Sequence, residues 1–319
     1  MDIIVTGSVA YDYLMTFPGE FKDHILPEKL EKISLSFLVD SMVRRRGGIA
    51  ANIAYTLALL GGNPRMMATV GVDFEEFRAL LEAKGVNTSL SPVIADTYTA
   101  SFFATTDQSN AQMASFYPGA MAHAREVSLR DLDGPRPDLV VISPNDPSAM
   151  DQYIDECKDL GIKYVYDPSQ QIIRMEDDGL RHGVENAHAL FVNEYEYELT
   201  KKMTGMSNKD LLEHLEFYVV TLGAEGAVVY TADGETRVQA APPERVLDPT
   251  GGGDAFRGGF LTGYSRGWDF RTCAQMGGLA ATYVLESEGP QEHNFTPQEF
   301  ADRYRVHYED DGLLDELIK

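Results

Sequence analysis

The sequence predicts an α/β fold with a mostly parallel central sheet flanked by helices. Three observations carry this: short apolar runs recur along the chain, helical patterns separate them, and 319 residues suffice for one large domain. The runs at 3–9, 66–70, 138–143, 163–167, 189–193, 217–222 and 227–230 read as strands. Segments 50–60, 74–84, 148–160, 210–214, 254–265 and 270–286 carry helical periodicity. Sheets of this kind bind ligands beyond the carboxyl ends of their strands.

Two stretches break the rhythm. Residues 11–46 and 91–118 are poor in helical pattern, and Tyr98-Thr99-Ala100-Ser101-Phe102-Phe103 alternates as a strand does. Together they predict a small second sheet. It either stands over the main body as a lid or extends an edge of the main sheet. The tail, 310–319, reads as a short acidic amphipathic helix.

Composition narrows the function. The formal net charge of −23 repels nucleic acid and anionic membranes, so neither is an expected partner. A nucleotide would need Mg²⁺ and a local group of donors to bind against that field. Cys157 and Cys273 are the two cysteines and form neither a disulfide framework nor a metal motif. The opening MDIIVTGSVAYDYL runs straight into a strand without a basic leader, which predicts a cytoplasmic protein. The seven His residues lack metal-ligand spacing, and no phosphate-binding G-x-x-x-x-G-K-[ST] motif occurs. Gly263-Tyr264-Ser265-Arg266-Gly267 fits a hydrolase elbow in letters, but its serine ends a helix instead of following a strand.

The most informative stretch is Asp248-Pro249-Thr250-Gly251-Gly252-Gly253-Asp254-Ala255-Phe256-Arg257-Gly258-Gly259. Phe256, Phe260 and Tyr264 repeat every four residues, so a helix starts near the glycines. Glycines let backbone amides approach an anion, and the helix N-terminus adds unpaired donors and positive dipole. Asp254 stands at that positive end. The dipole favours its ionised form, ready to accept a proton from an attacking hydroxyl. An isolated GGGD reads first as a glycine-rich turn with Asp254 as an ordinary helix cap. The preceding DPT and the glycine-rich first helical turn favour the phosphoryl-transfer reading.

This stretch resembles the C-terminal signature of the PfkB (ribokinase-like) family of carbohydrate and nucleoside kinases. The resemblance implies that Asp254 is the catalytic base and that Gly251, Gly252 and Gly253 form the anion hole. It also implies a single ribokinase-like domain over 1–319, with residues 11–46 and 91–118 as its lid. Three further motifs follow the family's order. Gly47-Gly48-Ile49-Ala50-Ala51-Asn52 is similar to its GG-x-x-x-N, which implies that Gly47, Gly48 and Asn52 hold substrate hydroxyls. Gly7 to Asp12 is similar to its G-x-x-x-x-D, which assigns Asp12 to sugar hydroxyls. Asn193-Glu194-Tyr195-Glu196 resembles its N-x-x-E, which implies that Asn193 and Glu196 organise Mg²⁺ through water. Finally, Thr221-Leu222-Gly223-Ala224-Glu225-Gly226 resembles its nucleotide-binding T-x-G-x-x-G, assigning Thr221, Gly223 and Gly226 to the nucleotide.

Within the family the chain is most similar to archaeal-type nucleoside kinases, through GSVAYDYL, the DPTGGGD stretch and YVLESEGPQ at 283–291. That implies transfer from ATP to the 5′-hydroxyl of a nucleoside such as adenosine, with Gln112 among the substrate contacts. The aromatics Tyr13, Phe17, Phe102, Phe103, Phe116 and Tyr117 either stack a nucleobase or pack a core within the small sheet. A sugar kinase and a non-catalytic nucleoside-binding regulator are the alternative functions. The resemblance also leaves room for a monovalent cation such as K⁺ and for a homodimer formed through the lid. Arg44-Arg45-Arg46 reads as a solvated lid strand. Arg257, one turn beyond Asp254, either contacts the phosphoryl group or pairs with an acid.

Overall fold

The computed structural model describes residues 1–32 and 34–319. The first half contains β1 (Ile3–Thr6), β2 (Ala10–Thr16), β3 (Ser41–Gly47), α1 (Ile49–Leu59), β4 (Arg65–Met67), α2 (Glu75–Ala83), β5 (Asn87–Leu90), β6 (Ala100–Thr106) and β7 (Gln112–Tyr117). Next come β8 (Leu139–Ile142), α3 (Pro147–Leu160), β9 (Tyr164–Tyr166), α4 (Asp177–Glu185), β10 (Ala189–Asn193), α5 (Glu194–Thr204) and α6 (Asn208–His214). The chain ends with β11 (Phe217–Thr221), β12 (Ala227–Thr231), β13 (Gly234–Val238), α7 (Gly252–Ser265), α8 (Phe270–Leu285), α9 (Pro297–His307) and α10 (Asp315–Ile318).

Nine strands form the main sheet in the order β13-β12-β11-β10-β9-β8-β1-β4-β5. The seven from β11 to β5 run parallel, and β12 and β13 add an antiparallel edge. The inner strands are buried on both faces, and successive side chains point to opposite sides of the pleated sheet. Ile3 and Val5 enter a core with α1, α7 and α8, whereas Ile4 enters a second core with α3 and α4. Among the described residues no helix is long and apolar enough to cross a membrane.

The 11–46 and 91–118 stretches form a separate four-stranded sheet, β3-β2-β6-β7, so the edge-extension alternative falls. The strand expected at 3–9 stops at Thr6. Gly7 has φ +147°, and a Cβ there would lie 2.1 Å from Ser143 Oγ. The chain turns at this glycine and enters the second sheet as β2. The expected tail helix is confined to Asp315–Ile318. The elements β5, β13, α4 and α9 were not anticipated.

The α7 helix is seated by close backbone packing. A Cβ on Gly258 would lie 2.7 Å from Thr56 Cβ of α1, and one on Gly259 would lie 2.6 Å from Met276 O of α8. Small residues at these two faces bring α1 and α7 together, and with them the residues at their N-termini.

Candidate active site

The parallel strands β1, β8, β9, β10 and β11 all end at one open cavity of about 560 Å³. Its floor is the first turn of α7. Gly251 takes φ +82° as the helix N-cap, and a Cβ there would lie 2.4 Å from Pro290 Cβ, so the position demands glycine. Gly252 N donates to Pro249 O at 3.3 Å. The amides of Gly251, Gly253 and Asp254 have no acceptor among the described residues. The free donors of this turn are therefore two glycine amides and that of Asp254 itself, all at a helix N-terminus.

Asp254 is half-buried in the cavity and accepts a hydrogen bond from Asn52 Nδ2 at 2.8 Å. Burial raises its pKa; Arg257 and the Asn52 bond oppose that rise, and Glu196 adds to it. The simple expectation of a dipole-stabilised carboxylate thus meets a counterweight, because closing the cavity around Asp254 costs hydration.

The opposite wall comes from α1 and β2. Gly48 has φ +94°, and a Cβ there would lie 2.5 Å from Ser8 O, so the turn packs directly onto the end of β1. Ser8 caps α1 twice: Ile49 N donates to its Oγ at 3.1 Å and Ala50 N to its O at 3.1 Å. Asp12 projects from β2 into the same cavity beside Gly47, whose Cβ would lie 3.1 Å from Asp12 Oδ2. Burial first, then the Asp248 charge, raises the Asp12 carboxyl to about 6, with Arg45 opposing.

A buried ion pair lies behind the α7 turn. Arg257 pairs with Asp167, which directly follows β9: Nη2 donates to Oδ1 at 2.5 Å, and Nε lies 2.5 Å from Oδ2 as a charge contact without hydrogen-bond geometry. Of the two readings offered for Arg257, the structure displays the pairing with an acid. Arg257 nonetheless lines the cavity. Beside it, Asn193 and Glu196 form a reciprocal capping box at the start of α5, with bonds of 2.8 Å each way. The Glu196 Oε1 that remains faces Ser169 Oγ at 3.4 Å. Ser169 itself holds φ +44°, a costly conformation for a serine.

A second cavity, of about 480 Å³, adjoins the first and shares Thr221 and Gly253 with it. Its walls include Pro242, Pro243, Val246, Phe256 and Leu285. Gly223 (φ +58°) and Gly226 (φ +92°) shape its rim, and a Cβ on Gly226 would lie 2.0 Å from Val238 O.

The structure thus brings Asp12, Gly47, Gly48, Asn52, Asn193, Glu196, Thr221, Gly251, Gly253, Asp254 and Arg257 to one cavity. It brings Gly223, Gly226 and Gly252 to the other. Gln112 is not brought to either. It opens β7, exposed, and bonds Thr106 Oγ1 at 3.2 Å, four residues along the strand from the cavity-lining Phe116. Sequence reasoning missed Ser8, Asp167 and Gln291 as parts of the site. Gln291 closes YVLESEGPQ, a stretch already singled out, so a signal for it existed.

The pfkB family carbohydrate kinase model matches residues 6–297. A nucleoside kinase of Methanocaldococcus jannaschii is 28% identical over 310 residues, covering 96% of this chain and 97% of its own. The ligand-free structure of Burkholderia thailandensis nucleoside kinase superposes with a TM-score of 0.86 at 37% identity, covering 95% of this chain and 99% of that one. The same enzyme in complex with ADP-inosine gives a TM-score of 0.83 at 36% identity, covering 96% of each chain.

Proposed function

Because the chain belongs to the pfkB family of carbohydrate kinases, and so transfers phosphoryl groups to hydroxyls, we propose that it phosphorylates the 5′-hydroxyl of a purine nucleoside such as adenosine, using ATP. The observation that carries the reading is the meeting of two cavities, one polar and one apolar, at the Gly251–Asp254 turn. The inosine in the Burkholderia thailandensis complex and the names of both relatives support a nucleoside as acceptor.

The ribose lies between Asp12 and Asn52, where a carboxylate accepts two hydroxyl hydrogen bonds. Phe102 and Phe116 of the small sheet face the same space and offer the base a stacking surface. The small sheet acts as a lid that keeps out water, which would otherwise compete as acceptor. ATP places its adenine against the apolar wall and its γ-phosphate over the free amides of Gly253 and Asp254. Asp254 takes the proton as the 5′-oxygen attacks phosphorus. The bond to the bridging oxygen breaks, and ADP leaves.

Among the described residues no three His, Cys, Asp or Glu side chains gather as a metal cage. Glu196 and Asn193 would hold Mg²⁺ through its waters, and few protein carboxylates are needed for that. When bound, Mg²⁺ offsets the charge of the phosphates.

Incubation with MgATP and a panel of nucleosides and free sugars tests the proposal. ADP release with purine nucleosides is the expected result. Release with sugars alone would replace the acceptor class, and binding without turnover would make the protein a regulator.

A further inference from the structure

Asn52 and Asp254 stand on different helices, and a third segment fixes the amide between them. An ionised Asp254 offers only acceptors, so Asn52 must turn its NH₂ group toward it. The Asn52 Oδ1 then points into the protein and needs a donor. Gln291 Nε2 supplies one at 2.8 Å. Both amides are buried: Asn52 is 5% exposed and Gln291 3%. We propose that Gln291 is a positioning residue for phosphoryl transfer, which locks Asn52 in the orientation that holds the Asp254 carboxylate toward the acceptor hydroxyl. The proposal rests on the reading of Asp254 as the base.

The segment carrying Gln291 is fastened on three sides. Pro290 packs against Gly251, at the floor of the cavity. Tyr55 Oη of α1 donates to His293 O at 2.9 Å, and the His293 ring lies 3.5 Å from Thr56 Oγ1. His293 is 2% exposed, and burial pushes its pKa down to about 4, so it packs as a neutral ring. On the far side, Glu292 holds Arg46 at 2.9 Å and Glu288 holds Arg45 at 3.6 Å, both on β3. The segment therefore touches α1, the α7 turn and the small sheet at once.

The electrostatics around Asp254 give the relay something to do. Arg257 on α7 attracts the carboxylate, Glu196 on α5 repels it, and Asp167 after β9 shares Arg257 with it. Asn52 on α1 donates to it. With no donor at position 291, Asn52 is free to swing Oδ1 toward Asp254. The carboxylate then loses the bond that opposes its burial, and it protonates at a higher pH.

The test is a ¹³C-carboxyl NMR titration of Asp254 in the ligand-free protein, the resonance assigned by its loss in Asp254→Asn. Gln291→Met and Gln291→Leu both remove the donor without adding a charge near Asp254. In each, Asp254 is expected to titrate about one to two pH units higher, because a hydrogen bond to a charged group is worth about 1.5–3 kcal/mol and one unit corresponds to about 1.36 kcal/mol. The acid limb of the kcat profile should move by the same amount, with KM for ATP unchanged. An unmoved Asp254 titration in either folded variant overturns the proposal, whatever its kcat. A moved titration in a protein that turns over no substrate supports the relay and sinks the kinase reading instead.

Discussion

The cavity of about 560 Å³ gathers carboxylates, amides and an arginine from β2, α1, α5 and α7, whereas its neighbour of about 480 Å³ is walled largely by proline, alanine, valine and glycine. On the proposed reading, the polar cavity has to distinguish one hydroxyl from another and to move a proton. It therefore spends buried charge, and Asp12 and Asp254 both sit above their ordinary pKa because of it. On the same reading, the apolar cavity has only to hold a flat ring and leave the backbone near the phosphates. The two regions thus differ in desolvated charge, which the first concentrates and the second lacks.

That contrast can be broken most forcefully behind the α7 turn. Arg257→Met should leave Asp167 buried without its partner and cost about 3–5 kcal/mol of stability, measured by chemical denaturation. A variant as stable as the wild type would show that the polar cavity does not depend on this pair. Slightly smaller is the expected effect of Gly251→Ala, which combines a positive φ with a Cβ directed at Pro290. Moving the amides should lower kcat by about 10²–10³. A wild-type kcat would mean that the cradle takes no part in holding phosphoryl charge.

The apolar side is sharpened by filling it. Ala281→Phe intrudes on the second cavity and should raise KM for ATP about tenfold, equivalent to about 1.4 kcal/mol, with acceptor KM unchanged. A change confined to acceptor KM would reverse the assignment of the two cavities. The smallest effect concerns pH. Burial and the Asp248 charge hold the Asp12 carboxyl at about 6 in the folded protein, above its ordinary 3.8, so the folded state binds more protons between these values. Stability should therefore fall as pH rises through that window and hold level above it. Asp12→Asn should unfold at a higher temperature than wild type at pH 7, the gain fading toward pH 4, while acceptor KM rises. A thermal midpoint that ignores pH would remove Asp12 from the charge balance of the site.

How legible these parts were in the sequence follows from the same contrast. Asp254 and its glycines are neighbours in the chain, so helix periodicity and glycine chemistry sufficed to place them. Asn193 and Glu196 stood out through the N-x-x-E resemblance, and the structure joins them as a capping box at the start of α5. The supports were not, since Asp167 reaches Arg257 across 90 residues and Gln291 reaches Asn52 across 239. Nothing local distinguishes such a glutamine from a solvated one. Likewise β5 and β13 are edge strands with polar, exposed residues, and they lack the apolar runs that mark inner strands. The α9 helix could have been found, since Thr296-Pro297-Gln298-Glu299 is a capping box with proline at the first helical position. For Gln112, a matching residue in relatives says nothing about which end of β7 faces the cavity, and the strand places it four residues from Phe116.

The most direct test of the account is the single-turnover rate of Asp254→Asn with saturating MgATP and adenosine, alongside nucleoside affinity by calorimetry. A proton acceptor held beside free amides predicts a rate lower by about 10²–10⁴ with affinity little changed. A rate near that of the wild type would contradict it.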